Sequence, residues 1–193
     1  MSLDKHVTNI CKACFFHLRN ICKIRGSLSQ ADTEKLVHAF ITSKLDSANS
    51  LLHWLPTFLI DRLQNVQNAA ARIITCTKKY DRIKPVLKQL HWLSVNQRIN
   101  YKILLLTYEA LNVQAPSYIT DLLEPYTTTR NLRLSSKSLL KIPLVKLVNY
   151  GHRYFSFAAP TLWNSLPDFI WQSSSLSSFK KIWKHIFLRN AIA

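Results

Sequence analysis

The ten acidic side chains of this 193-residue chain are scattered, and no two of them are adjacent. Two-metal nucleotidyl or phosphoryl transfer needs carboxylates that converge on the ions. Asp32 and Glu34 come nearest to a pair, but two residues apart on a helix they point to different faces, and near its start they complement the helix dipole. Cys11-x-x-Cys14 has half the spacing of a zinc knuckle, which needs two further ligands nearby. On a helix, His17 points roughly 240° away from Cys11, so a tetrahedral set with Cys22 does not assemble, and the thiols are expected as buried or half-buried packing groups. A cysteine nucleophile requires a depressed pKa and a paired base, of which the sequence carries no specific sign. The histidines at 6, 17, 38, 53, 91, 152 and 185 show no metal-ligand spacing. With only Gly26 and Gly151, glycine-rich phosphate loops and hairpin-rich barrels that depend on positive φ are excluded. No catalytic residue, metal, cofactor or small-molecule substrate is expected.

Positive charge is what remains. Lys and Arg number 26 against 10 Asp and Glu, a formal net charge of +16, so an anionic partner is expected, nucleic acid before a membrane surface. Three groupings are candidates for phosphate contact: Arg19, Lys23 and Arg25 near one helix end, Lys78, Lys79 and Arg82 in a linker, and a diffuse run from Arg130 and Arg133 to Lys146. From Tyr126 onward the chain has ten basic residues and one acidic residue, against sixteen and nine before it. Trp92 and Trp163 read as packing anchors rather than base-stacking platforms.

These residues have to be carried by helices, which the shortage of glycine favours. Val7, Ile10, Cys14, Leu18 and Ile21 recur on one helical face, with Gly26 as a stop. Ser29 and Asp32 have the form of a capping box before the stripe Leu36, Val37, Phe40, Ile41 and Leu45. Pro56 opens a helix whose apolar face is Leu59, Leu63, Val66, Ala70 and Ile73. A short helix over Pro85 to Leu90 precedes a second capping box, Ser94 with Gln97. The helix after it is apolar almost all round from Tyr101 to Leu111, so it belongs at the centre of a core. Short helices follow from Pro116 to Leu123 and from His152 to Leu162, and the last helix carries Phe179, Ile182, Trp183, Ile186 and Phe187. The fold expected is mainly α, an irregular helical bundle with a short extended or β segment near 138–149, where Pro143 interrupts a Leu, Ile and Val-rich stretch. The composition change after Pro125 suggests a helical domain over 1–125 and a basic C-terminal extension over 126–193 that ends in an amphipathic helix.

Several strings resemble a known family in order and spacing: Phe16-His17-Leu18-Arg19-Asn20-Ile21, Leu36-Val37-His38-Ala39-Phe40, Leu63 to Arg72 (LQNVQNAAAR), Leu90-His91-Trp92-Leu93 with Gln97-Arg98, Ala115-Pro116-Ser117-Tyr118, and Ala159 to Pro167 (APTLWNSLP). They look like the C-terminal, thumb and post-polymerase part of the reverse transcriptase polyprotein of jockey-like non-LTR (LINE-type) retrotransposons. The resemblance covers roughly residues 4 to 190, and departs at Ser47-Ala48, where the family usually has Tyr-Cys. It implies a fragment beginning at an internal methionine, downstream of the endonuclease and the fingers and palm. The parent would be an RNA-directed DNA polymerase, whereas this segment lacks the paired carboxylates. Some relatives carry a restriction-type nuclease after the polymerase; Pro167-Asp168 offers half of its motif, but Asp168 is the last acid in the chain. The function implied is therefore non-catalytic binding of the backbone of RNA or an RNA-DNA hybrid. The alternative is a truncated or co-opted helical module that docks on a protein partner, such as a palm-like domain. A third reading is peripheral membrane binding through Lys180, Lys181, Lys184 and Arg189 opposite Phe179, Trp183 and Ile186. An intracellular, cytoplasmic or nuclear protein without integral membrane association is expected, since no apolar run approaches spanning length and cysteines are few.

Overall fold

The computed structural model describes residues 3–127, 139–145, 151–171 and 175–190. The chain is mainly α and forms two compact units divided between Arg98 and Ile99. The composition change after Pro125 falls inside the second unit.

The first unit is built around one helix. Helix α1 (Leu3–Ile24) buries Val7, Cys11, Cys14, Leu18 and Ile21, offsets of 4, 3, 4 and 3 that keep one face inward. Cys11 takes the place expected for Ile10, which is half-buried. Helix α2 (Gln30–Val37) starts at Ser29, whose hydroxyl accepts from the Asp32 N–H at 3.1 Å and donates to the Asp32 carboxylate at 2.6 Å. A π-helical turn, His38–Thr42, joins α2 to α3 (Ser43–Asp46). Its wider turn brings residues four apart into line, so Val37, Ile41 and Leu45 are buried while Phe40, expected in the stripe, is 44% exposed.

Helix α4 (Thr57–Thr75) contacts α1, α2 and α5 (Ile83–Gln89). Being covered from several sides widens its buried arc to Leu59, Leu63, Val66, Gln67, Ala70, Ala71 and Ile74. Ile74 rather than Ile73 therefore closes the face, and Ile73 is half-buried. Two α4 glutamines secure the entry to α6 (Val95–Leu111): Gln67 Nε2 donates to the Leu93 carbonyl at 2.8 Å, and Gln64 Oε1 accepts from the Val95 N–H at 2.9 Å. The second capping box is complete, with the Ser94 N–H on Gln97 Oε1 at 3.0 Å and the Gln97 N–H on Ser94 Oγ at 3.4 Å. Arg98 makes a two-pronged ion pair with Asp46.

In the second unit α6 is buried almost all round, through Ile99, Ile103, Leu104, Leu105, Thr107, Tyr108 and Ala110. After α7 (Ser117–Thr120) the chain makes an isolated antiparallel bridge between Pro125 and Leu140, with Tyr126 N–H donating to Leu139 O at 3.0 Å and Lys141 N–H to Glu124 O at 2.8 Å. Asn164, at the end of α8 (Phe155–Asn164), clamps Leu140 by accepting its N–H at 3.0 Å and donating to its carbonyl at 2.8 Å. The expected extended segment is thus a single bridge among the described residues, with 138 and 146–149 outside them. Helices α9 (Asp168–Trp171) and α10 (Leu176–Asn190) complete the unit. Phe179 and Trp183 of α10 are fully buried, with ring centroids 4.6 Å from Tyr108 and 4.6 Å from Tyr101 respectively.

The shortage of glycine moves left-handed residues onto other side chains instead of removing them. Ala48, Trp54, Cys76, His91 and Val113 have positive φ, and neither glycine does. Three of the five close helices. Thr77 N–H reaches Arg72 O at 3.1 Å around Cys76, Trp92 N–H reaches Leu87 O at 2.8 Å around His91, and Gln114 N–H reaches Glu109 O at 2.8 Å around Val113. These are the six-to-one bonds of the Schellman motif, whose left-handed residue is usually glycine.

Candidate nucleic-acid interface

Arg25, one of the expected phosphate-contacting residues, has its guanidinium occupied inside the protein. Its Nε and Nη2 donate to the carbonyls of Ile73 and Ile74, each at 3.0 Å, and Nη1 donates to Leu28 O at 2.8 Å. These are orphan acceptors at the negative end of the α4 dipole, so Arg25 ties the end of α1 to the end of α4. Lys23 and the turn after α4 consequently share one end of the first unit. Lys23 is exposed, as is Arg19, whose Nε reaches Phe15 O at 3.3 Å one turn back.

The turn itself is assembled by Arg72. Its Nη1 donates to Lys78 O at 2.6 Å and its Nη2 to Asp81 O at 3.0 Å. Asp81 closes the turn, its carboxylate accepting the Lys78 N–H at 3.0 Å and its N–H donating to Lys78 O at 3.2 Å. The half-buried Arg72 therefore fixes the backbone, while Lys78, Lys79 and Arg82 are exposed around Tyr80, itself 92% exposed. Lys84 and Lys88 on α5 are also exposed. The arrangement offers cations and one aromatic face on a held backbone, the elements of sequence-independent phosphate contact. Arg130 and Arg133 lie outside the described residues.

A second basic feature is contiguous only along the helix surface, not in sequence. Lys5, Lys12 and Arg19 follow at seven-residue intervals and Lys23 four residues later, all exposed. At about 100° per residue they occupy the arc of α1 opposite the buried Val7, Cys14 and Leu18, and the row is about 27 Å long. Phe16 lies at the edge of that arc, between Lys12 and Arg19 along the axis, and is 57% exposed. The only acid on α1, Asp4, is turned to Arg62 on α4 at 3.5 Å. Heptad spacing of cations against the apolar period is the signal that would have found the row.

The thiols Cys11 and Cys14 are buried. Burial, reinforced by the neighbouring Cys11, pushes Cys14 up to about 11, and burial also raises Cys11, so both are held as neutral thiols, the form that neither attacks nor ligates. Among the described residues no three His, Cys, Asp or Glu groups gather as a metal site. Trp92 and Trp163 are buried anchors, 8% and 2% exposed. Phe179 and Trp183 lie in the core of the second unit, which removes them from any membrane-binding face of α10. No helix among the described residues is long and apolar enough to cross a membrane.

No protein-family model, curated protein or solved structure matches the chain.

Proposed function

We propose that the chain is a non-catalytic helical segment of a LINE-type retrotransposon reverse transcriptase and that it binds the backbone of RNA or an RNA-DNA hybrid. The observation that carries this reading is the Arg72-held turn, which presents Lys78, Lys79 and Arg82 around Tyr80 at the end of the unit where Arg25 anchors Lys23. A held backbone lowers the ordering cost of contact, and phosphate neutralisation by Lys and Arg needs no base-specific geometry. The resemblance described above supplies the identity of the nucleic acid. No reaction is assigned to the segment.

The test is a fluorescence anisotropy titration of the chain against a labelled RNA-DNA hybrid at several salt concentrations. Binding should weaken along a log-log line, and replacing Lys78, Lys79 and Arg82 together by Ala should flatten that line by up to about 2 to 3 units. A folded chain that binds neither the hybrid nor a single-stranded RNA at low salt excludes the reading.

A second reading, a helical module that docks on a protein such as a palm-like domain, is favoured by Leu51, Trp54 and Phe58, which are 64%, 51% and 61% exposed within eight residues of chain. Apolar surface of this density is a feature of protein contact sites. If that reading holds, Leu51 and Phe58 changed to Ser would abolish capture of the partner and leave nucleic-acid binding untouched.

A further inference from the structure

We infer that the outer face of α1 is a track for single-stranded nucleic acid, with Phe16 as its base-stacking platform. The inference rests on the nucleic-acid reading above and names both the strand form and a surface separate from the Lys78 turn.

Charge defines the track. Lys5, Lys12, Arg19 and Lys23 are exposed along one arc of α1, and no carboxylate of that helix interrupts them, Asp4 being drawn aside to Arg62 at 3.5 Å. Successive members of the heptad series stand about 10 Å apart along the axis, a ladder that follows a polyanion lengthwise and reads no base edge.

The rings decide the strand form. Phe16 is 57% exposed beside the cationic row, between Lys12 and Arg19 along the axis, with its face unspent on the core. It meets His17 edge-on with centroids 5.5 Å apart, and His17 in turn stacks on Phe40 at 5.2 Å, Phe40 being 44% exposed. Three rings from α1 and the π-helical turn thus form an aromatic row that begins at Phe16 beside the cations and runs round the helix through His17 to Phe40, and the π turn is what rotates Phe40 out of the core. In a duplex the base faces are already stacked on one another and unavailable to such rings. Unpaired bases offer free faces, and cations interleaved with aromatic side chains are the combination by which proteins hold single strands without sequence preference.

The experiment compares a labelled twelve-nucleotide oligo(A) with an RNA-DNA hybrid of the same length, using the full chain at several salt concentrations. Phe16→Leu should weaken oligo(A) binding about tenfold while keeping the native salt slope, and Phe16→Tyr should restore it; the hybrid should bind the Leu variant as tightly as the native chain. Lys12→Ala with Arg19→Ala should flatten the oligo(A) slope by about 1.4, the release expected for two phosphates on a single strand. All three positions are exposed, and far-ultraviolet circular dichroism checks that each variant remains folded. If Phe16→Leu binds oligo(A) like the native chain, or the double variant keeps the full slope, the track is disproved. Binding of the hybrid without oligo(A) overturns this inference alone, whereas absence of both overturns the nucleic-acid reading with it.

Discussion

The two units differ in how many aromatic side chains they bury. In the first, Phe15, Phe16, Phe40, Trp54 and Phe58 are exposed, and apart from the buried Trp92 the core is built largely of aliphatic, alanine and cysteine side chains such as Val7, Cys14, Leu63, Ala70 and Ala71. In the second, Tyr118, Tyr126, Tyr154 and Phe169 are exposed, but four rings join the aliphatic core: Tyr108, Trp163, Phe179 and Trp183 are all buried, with Phe179 4.6 Å from Tyr108 and 6.3 Å from Trp163. Helices that approach through small residues leave little volume for an aromatic side chain, whereas the irregular segments around α6 leave spaces that rings fill. An aromatic residue is therefore an anchor or a contact surface according to the size of its neighbours. In the first unit the exposed rings stand beside cations, which is what makes that surface a candidate interface.

The sharpest way to break this comparison is to truncate one ring on each side. Trp183→Ala should destabilise the chain by about 3–5 kcal/mol in chemical denaturation, since it empties a fully buried site, whereas Phe16→Ala should stay within about 0.5 kcal/mol. Equal losses would mean that Phe16 is a core residue. Next comes close packing in the second unit, where a Cβ at Gly151 would lie 2.6 Å from the Val145 Cβ. Gly151→Ala should therefore cost about 1–3 kcal/mol, read as a lowered denaturation midpoint, while Gly26→Ala, with nothing within 4 Å, should introduce no such clash.

The first unit has its own internal tie. Arg25→Ala leaves the carbonyls of Ile73 and Ile74 without the donors they have now. A loss of about 1.5–3 kcal/mol is expected, and Arg25→Lys should recover only part of it because an ammonium cannot reproduce the guanidinium fork.

Smallest is the effect at the helix ends, which samples both units. Cys76→Gly in the first and Val113→Gly in the second should each stabilise by about 0.5–1 kcal/mol, because both sit at left-handed positions that glycine adopts without steric cost. The β-branched Val113 should gain the more. A thermal melt that falls for either variant would show that its side chain makes a contact worth more than the backbone relief.

Helices, caps and stops were legible because they depend on local spacing. The period of α4 and the pairs Ser29 with Asp32 and Ser94 with Gln97 are read directly from residues three and four apart, and each recurs in the fold with its hydrogen bonds in place. The candidate interface was legible only in part. Lys78, Lys79 and Arg82 stand out as a contiguous run, but Arg25 looked equivalent to Lys23 until its partners 48 and 49 residues away appeared. Lys5 and Lys12 were overlooked because they are neighbours in space along a helix and not along the chain.

From the sequence alone follow the helical class, the positive charge and the approximate helix limits, since each depends on composition or on contacts within a few residues. Tertiary structure alone decided which cations are spent on internal carbonyls, which rings are buried, and how far the buried arc of α4 extends. Those outcomes depend on residues brought together from distant parts of the chain: Arg25 against the end of α4, Phe179 against Tyr108, and His17 against Phe40. Local propensity holds no information about such pairs, because the volume and the acceptors available at each position are set by whichever element packs there.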